Sequence, residues 1–177
     1  AVFVFDGEVY RGLDAPTLSP EEIDYMQQHL RLLSGLYGVL KPLDLIQPYR
    51  LDVSTKLHNH AGKDLYPFWR KKVTESVADD LKVSGEPPIL LNLASSEYAK
   101  VIDLKSSKMR MIHVEFFEYQ HDKLKQIVIY TKKARGLMAR YVIQNRIESE
   151  EDLKGFNDGG YWFNEQLSSK DKLVFVR

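Results

Sequence analysis

The stretch that most limits how this chain can fold is Tyr130-Thr131-Lys132-Lys133-Ala134-Arg135-Gly136-Leu137-Met138-Ala139-Arg140-Tyr141-Val142-Ile143-Gln144-Asn145-Arg146. Leu137, Met138, Tyr141 and Val142 make an apolar stripe at helical spacing, so a helix is expected from about Ala134. The preceding Gln126–Tyr130 reads as an apolar strand. Lys132, Lys133 and Arg135 would then fall where strand meets helix, with Arg140 and Arg146 further along. No Asp or Glu occurs between Asp122 and Glu148, although the chain as a whole carries 25 Lys+Arg and 25 Asp+Glu. Unsatisfied N–H groups at a helix start attract anions, and cations there work against the helix dipole. The arrangement therefore points to a bound anion, against the alternative of a solvated helix face.

The rest of the chain gives that helix partners. Ala1-Val2-Phe3-Val4-Phe5 reads as a strand running into Asp6-Gly7, a two-residue hairpin signal, and then Glu8-Val9-Tyr10. A chain that opens inside a core strand reads as a piece of something longer. Ser19-Pro20-Glu21-Glu22 starts a helix whose stripe is Ile23, Met26, Leu30 and Leu33, with Gly35 placed to end it. Gly35 and Gly38, three apart after an amphipathic helix, fit a helix-hairpin-helix turn that offers backbone N–H groups to a phosphate. A helix cap followed by an ordered loop fits equally, and Pro42 and Pro48 leave room for only a short second helix.

Residues 52–62 form a polar loop. Its His58 and His60 have no third ligand at convincing spacing, so no metal site is expected. Asp64–Leu81 reads as a helix burying Leu65, Phe68, Trp69, Val73 and Val77, with Lys63, Arg70, Lys71 and Lys72 solvated. Ser84–Pro88 is a turn and Ile89–Leu91 a buried strand. The polar residues after that strand, Asn92, Ser95 and Glu97, lie where α/β sheets place binding sites, although Ser95 also suits a helix cap. Met109–Tyr119 alternates as a strand, with Met111, His113 and Glu115 on one side; Gln120-His121-Asp122 is a turn and Lys123–Thr131 the return strand. A short acidic helix, Ser149–Leu153, precedes a glycine-rich loop with Asn157 and Tyr161, and Leu173–Val176 is a last strand.

These elements make one α+β domain over residues 1–177: short antiparallel strand pairs, several helices and a helix-hairpin-helix-like element beside a basic cleft. Its 44% hydrophobic and 28% charged residues are those of an ordinary globular protein. No apolar run approaches the roughly 20 residues of a membrane span, so no membrane partner is expected. The absence of cysteine excludes disulfides, thiolate metal sites and a Cys nucleophile, and suits a cytoplasmic location. Zero net charge confines any nucleic-acid binding to a patch.

As a whole the string resembles the bacterial YaaA peroxide-stress family. The resemblance rests on Leu33–Asp44, Gln47-Pro48-Tyr49-Arg50, Asn92-Leu93-Ala94-Ser95, Lys132–Met138, and Gly155-Phe156-Asn157 with Tyr161, in that order. The family also has an N-terminal segment with a Ser-Pro-Ala-Lys loop that this sequence lacks. The resemblance implies a cytoplasmic protein of the hydrogen-peroxide response that limits iron-dependent damage. It further implies binding of duplex or branched DNA through Gly35, Gly38, Lys41, Arg50, Lys132, Lys133, Arg135 and Arg140, without a cofactor. From the residues themselves comes an alternative: an enzyme acting on a phosphorylated or nucleotide-like molecule, with Lys132 or Glu97 as its acid–base group.

Overall fold

The computed structural model describes residues 1–82, 89–107, 109–121 and 123–177. Among these residues the helices are α1 Glu8–Leu13, α2 Pro20–His29, α3 Leu65–Lys82, α4 Ser96–Ala99, α5 Leu104–Ser107, α6 Val128–Asn145 and α7 Glu150–Leu153. The strands are β1 Leu32–Ser34, β2 Gly38–Leu40, β3 Ile89–Asn92, β4 Arg110–Gln120, β5 Lys123–Lys125, β6 Trp162–Phe163 and β7 Lys172–Val176. The fold is α+β, with a two-stranded antiparallel hairpin β1–β2 and a mixed sheet ordered β3-β4-β7-β6. β3 and β7 flank β4 in parallel, β6 runs antiparallel to β7, and β5 folds back on the end of β4.

Alternation along β4 decides the layering. Ile112, Val114 and Phe116 point to one face, where they pack with Ala134 and Met138 of α6 and with Phe156 and Tyr161. Met109 and Met111 join the opposite face, under Val73 and Val77 of α3. The sheet is therefore covered by α6 on one side and α3 on the other. A third cluster joins Leu13 of α1, Met26 of α2 and the β1–β2 hairpin to the far side of α6 at Ala139 and Ile143.

Several helices stop and start as their residues dictate. Ser19 caps α2 in a full capping box with Glu22, and Ser95 and Ser149 cap α4 and α7. The predicted α3 spans Leu65–Lys82, and the Ser84–Pro88 turn and Asp122 lie outside the described residues.

Four expectations change. Ala1–Phe5 is a turn rather than a strand: the N–H groups of Val4 and Phe5 both bond the carbonyl of Ala1, and Val2 bonds Pro42. Asp6-Gly7 then opens α1 instead of a hairpin, with Glu8 in its first turn. The second helix ends at His29. There Arg31 donates from Nη1 to the carbonyls of Gln27, Gln28 and Leu30, and from Nε to Asp80 of α3 at 2.5 Å. Leu32–Ser34 and Gly38–Leu40 are thus free to pair as strands, and the Gly35–Gly38 turn joins two strands, not two helices.

The fourth change concerns the basic run. The return strand stops at Lys125, because β5 pairs only with Glu118–Gln120 at the end of β4. Beyond that point the backbone satisfies itself by turning helical from Val128, overriding the strand preference of Ile127, Val128 and Ile129.

Candidate anion site on the basic helix

The start of α6 places its open N–H groups on Ile127–Tyr130, ahead of the cations, and Thr131 already donates to the Ile127 carbonyl at 2.9 Å. Lys132, Lys133 and Arg135 therefore sit in the second turn, and the helix N-terminus does not aim its dipole at them. They are held by packing instead. Gly12 of α1 and Gly136 of α6 meet so closely that a Cβ on Gly136 would lie 1.9 Å from the carbonyl oxygen of Val9, and one on Gly12 would lie 2.2 Å from that of Lys133. Arg140 closes the crossing, its Nη1 donating to the carbonyls of Leu13 and Asp14 at 2.9 and 3.1 Å. That guanidinium caps α1, and its bonds to these backbone carbonyls are structural.

Lys132 and Lys133 are exposed, and among the described residues no carboxylate lies within ion-pair distance of either. Arg135 is different. Its side chain is partly buried and its Nε is buried with no hydrogen-bond partner. Burial alone pushes its pKa below the ordinary arginine value, with no charged neighbour in compensation.

Lys133 also borders a cleft of roughly 230 Å³ with Tyr130, Leu137, Gly159, Tyr161 and Arg177. The floor of this cleft is a tied polar cluster. Buried Glu118 accepts from the Tyr161 hydroxyl and from Arg177 Nε at 2.6 Å, and Arg177 Nη1 donates to Gly159 at 2.8 Å. The guanidinium lies 4.7 Å from the Tyr130 ring centre and 4.8 Å from that of Tyr161, a cation between two aromatic faces. Burial, then the bond to Glu118, raises the Tyr161 pKa. Burial opposes the charge of Arg177, but Glu118 and Tyr161 outweigh it and its pKa is raised. With Arg177 engaged, Lys133 is the cation left to meet a ligand.

The other predicted residues divide. Gly35 and Gly38 are packing glycines: Trp69 Nε1 donates to the Gly35 carbonyl at 2.8 Å, and a Cβ on Gly38 would lie 2.6 Å from the Trp69 ring. Lys41 and Arg50 are exposed after that hairpin. Ser95 is the α4 cap, and Glu97 is exposed, contributing its backbone carbonyl to the Tyr66 hydroxyl at 3.1 Å. Asn157 is exposed, with no capping bond from its side chain. Asn92 bonds His113 across the β3–β4 ladder, so it belongs to a second locus. Sequence reasoning missed Gly12, Glu118 and Arg177. For Glu118 a signal existed: it is in phase with Ile112, Val114 and Phe116, a lone carboxylate on an apolar stripe. Gly12 offered none, because its partner is more than a hundred residues away.

Comparison with known proteins places this geometry in a family. Residues 1–167 match the family described as peroxide stress protein YaaA. A UPF0246 protein of Legionella pneumophila strain Lens is 50% identical over 177 residues, covering 100% of this chain and 68% of the relative. UPF0246 proteins of the Philadelphia 1 and Corby strains are each 49% identical over the same coverage.

Proposed function

This chain belongs to the peroxide stress protein YaaA family, and we propose that it acts in the cytoplasm as a DNA-binding protein of the hydrogen-peroxide response, limiting iron-dependent damage to DNA and protein. The observation that carries the reading is Arg135. A partly buried guanidinium with an unsatisfied Nε is a cost to the fold, and a phosphate oxygen would supply the missing partner. Lys132 and Lys133, exposed and unpaired beside it, add charge that a neutral protein can offer only as a patch. Lys41 and Arg50 are candidates for binding flanking phosphates. Gly35, Gly38 and Arg140 also serve the fold, since the Gly35 carbonyl and Arg140 Nη1 are hydrogen-bonded within the protein and Gly38 packs against Trp69.

The test is fluorescence anisotropy with duplex and four-way-junction DNA across a salt series. Wild type should bind with log K falling steeply against log salt. Lys132→Ala/Lys133→Ala/Arg135→Ala should flatten that slope by roughly 0.9 for each duplex phosphate it no longer neutralises. Absence of DNA binding, or an unchanged slope in the triple variant, overturns the reading. The cleft at Lys133, Tyr130 and Tyr161 supports a second one, in which a small phosphorylated ligand is bound and turned over.

A further inference from the structure

On the α3 face of the sheet, away from the basic helix, lies a larger open cleft of roughly 430 Å³. Alternation along β4 sends Met109, Met111 and His113 to the same side. The two methionines are buried under α3, whereas His113 emerges exposed. Leu104 of α5 completes the apolar floor, and Lys170 borders the rim. The Lys170 ammonium has no partner among the described residues. The carboxylate beside it, Asp171, is engaged by Arg110 Nε at 2.7 Å, and Arg110 also pairs with Glu150.

Asn92 decides what His113 can do. Parallel pairing sets Asn92 directly opposite His113. The Ala94 N–H donates to Asn92 Oδ1 at 3.0 Å, which fixes that atom as the amide oxygen. Asn92 Nδ2 must then face His113 Nδ1, 3.0 Å away, and only as donor. An imidazole accepting at Nδ1 carries its proton on Nε2. We propose that this cleft binds a small organic anion, its carboxylate or phosphate head held by His113 Nε2–H and Lys170 and its apolar body lying along Leu104, Met109 and Met111. Two thioethers and an imidazole are also ligand types for a soft metal such as Cu(I). Ligation needs a bare ring nitrogen, however, and Asn92 occupies one while the other is protonated.

The test uses the whole chain and side-chain nitrogen–proton correlation NMR at about pH 7.5, which reports the ring tautomer directly. His113 should show the Nε2–H tautomer and shift on titration with hexanoate. Hexanoate should bind at least ~10-fold tighter than acetate, since each buried methylene contributes. Lys170→Ala should weaken it ~10-fold and His113→Leu by as much or more. His113→Gln, which keeps an N–H at similar reach, should restore most of the loss. DNA binding should be the same in all these variants, so this site and the basic helix fail or stand separately. An Nδ1–H tautomer, equal binding of acetate and hexanoate, or tight Cu(I) binding with loss of the Nε2 proton would overturn the proposal.

Discussion

Replacing Gly136 by Ala sets two physical effects against each other at one atom. By helix propensity alone the change stabilises α6 by about 1 kcal/mol. The crossing with α1 opposes it. The new Cβ would sit 1.9 Å from the Val9 carbonyl oxygen, 2.7 Å from Leu13 N and 2.9 Å from Gly12 C, all backbone atoms that no rotamer change can move. Relief requires α1 to retreat by more than an ångström, and overpacking of this kind costs about 3 kcal/mol at the upper end of its range. The retreat also draws Leu13 and Asp14 away from Arg140 Nη1, removing charge-assisted bonds that contribute about 1.5–3 kcal/mol. After the propensity gain, the net loss is about 3.5–5 kcal/mol. Calorimetry should show Tm lower by roughly 7–20 °C, and urea unfolding should show a lower midpoint at unchanged slope. Gly12→Ala should act in the same direction. The double variant should lose less than the sum, because once the helices part the second methyl finds room. A Tm equal to or above wild type would refute the close-crossing argument.

Two further outcomes concern Arg135 and Tyr98. Arg135→Met should raise stability by about 1 kcal/mol by removing the unsatisfied buried Nε, while weakening the salt dependence of DNA binding. A Tm below wild type would show that Arg135 serves the fold rather than a ligand. Tyr98 has its pKa pushed up to about 12, first by burial and then by the charge of Asp52. The folded protein thus keeps a proton that the unfolded chain loses near pH 10, so this stabilisation is whole below about pH 10 and declines as pH rises toward 12. Urea midpoints measured across that range should fall less steeply in Tyr98→Phe, and an unchanged slope would remove Tyr98 from the account.

The sequence by itself determined what short-range chemistry controls. Ser19 with Glu22, and Ser149 before an acidic turn, fix helix starts through bonds within three residues. The period of two in Ile112, Val114 and Phe116 fixes a strand and its buried face. The cation run without an acid is a property of composition, and it survives in the structure as exposed Lys132 and Lys133 beside Arg135. Tertiary structure decided whatever depends on a distant partner. Ile127–Ile129 has strand-like residues yet is helical or borders the helix, because β5 finds no ladder beyond Gln120. Leu30 to Leu33 continues a helical stripe yet turns to strand, because Arg31 seals the end of α2 and reaches Asp80 on α3. Asn92 was legible as a polar residue past a strand and His113 as a strand residue, but their pairing was not, since register across a parallel pair is written in neither strand alone. How closely α6 crosses α1 rests on Gly12 and Gly136 permitting a backbone approach that only the folded chain brings about.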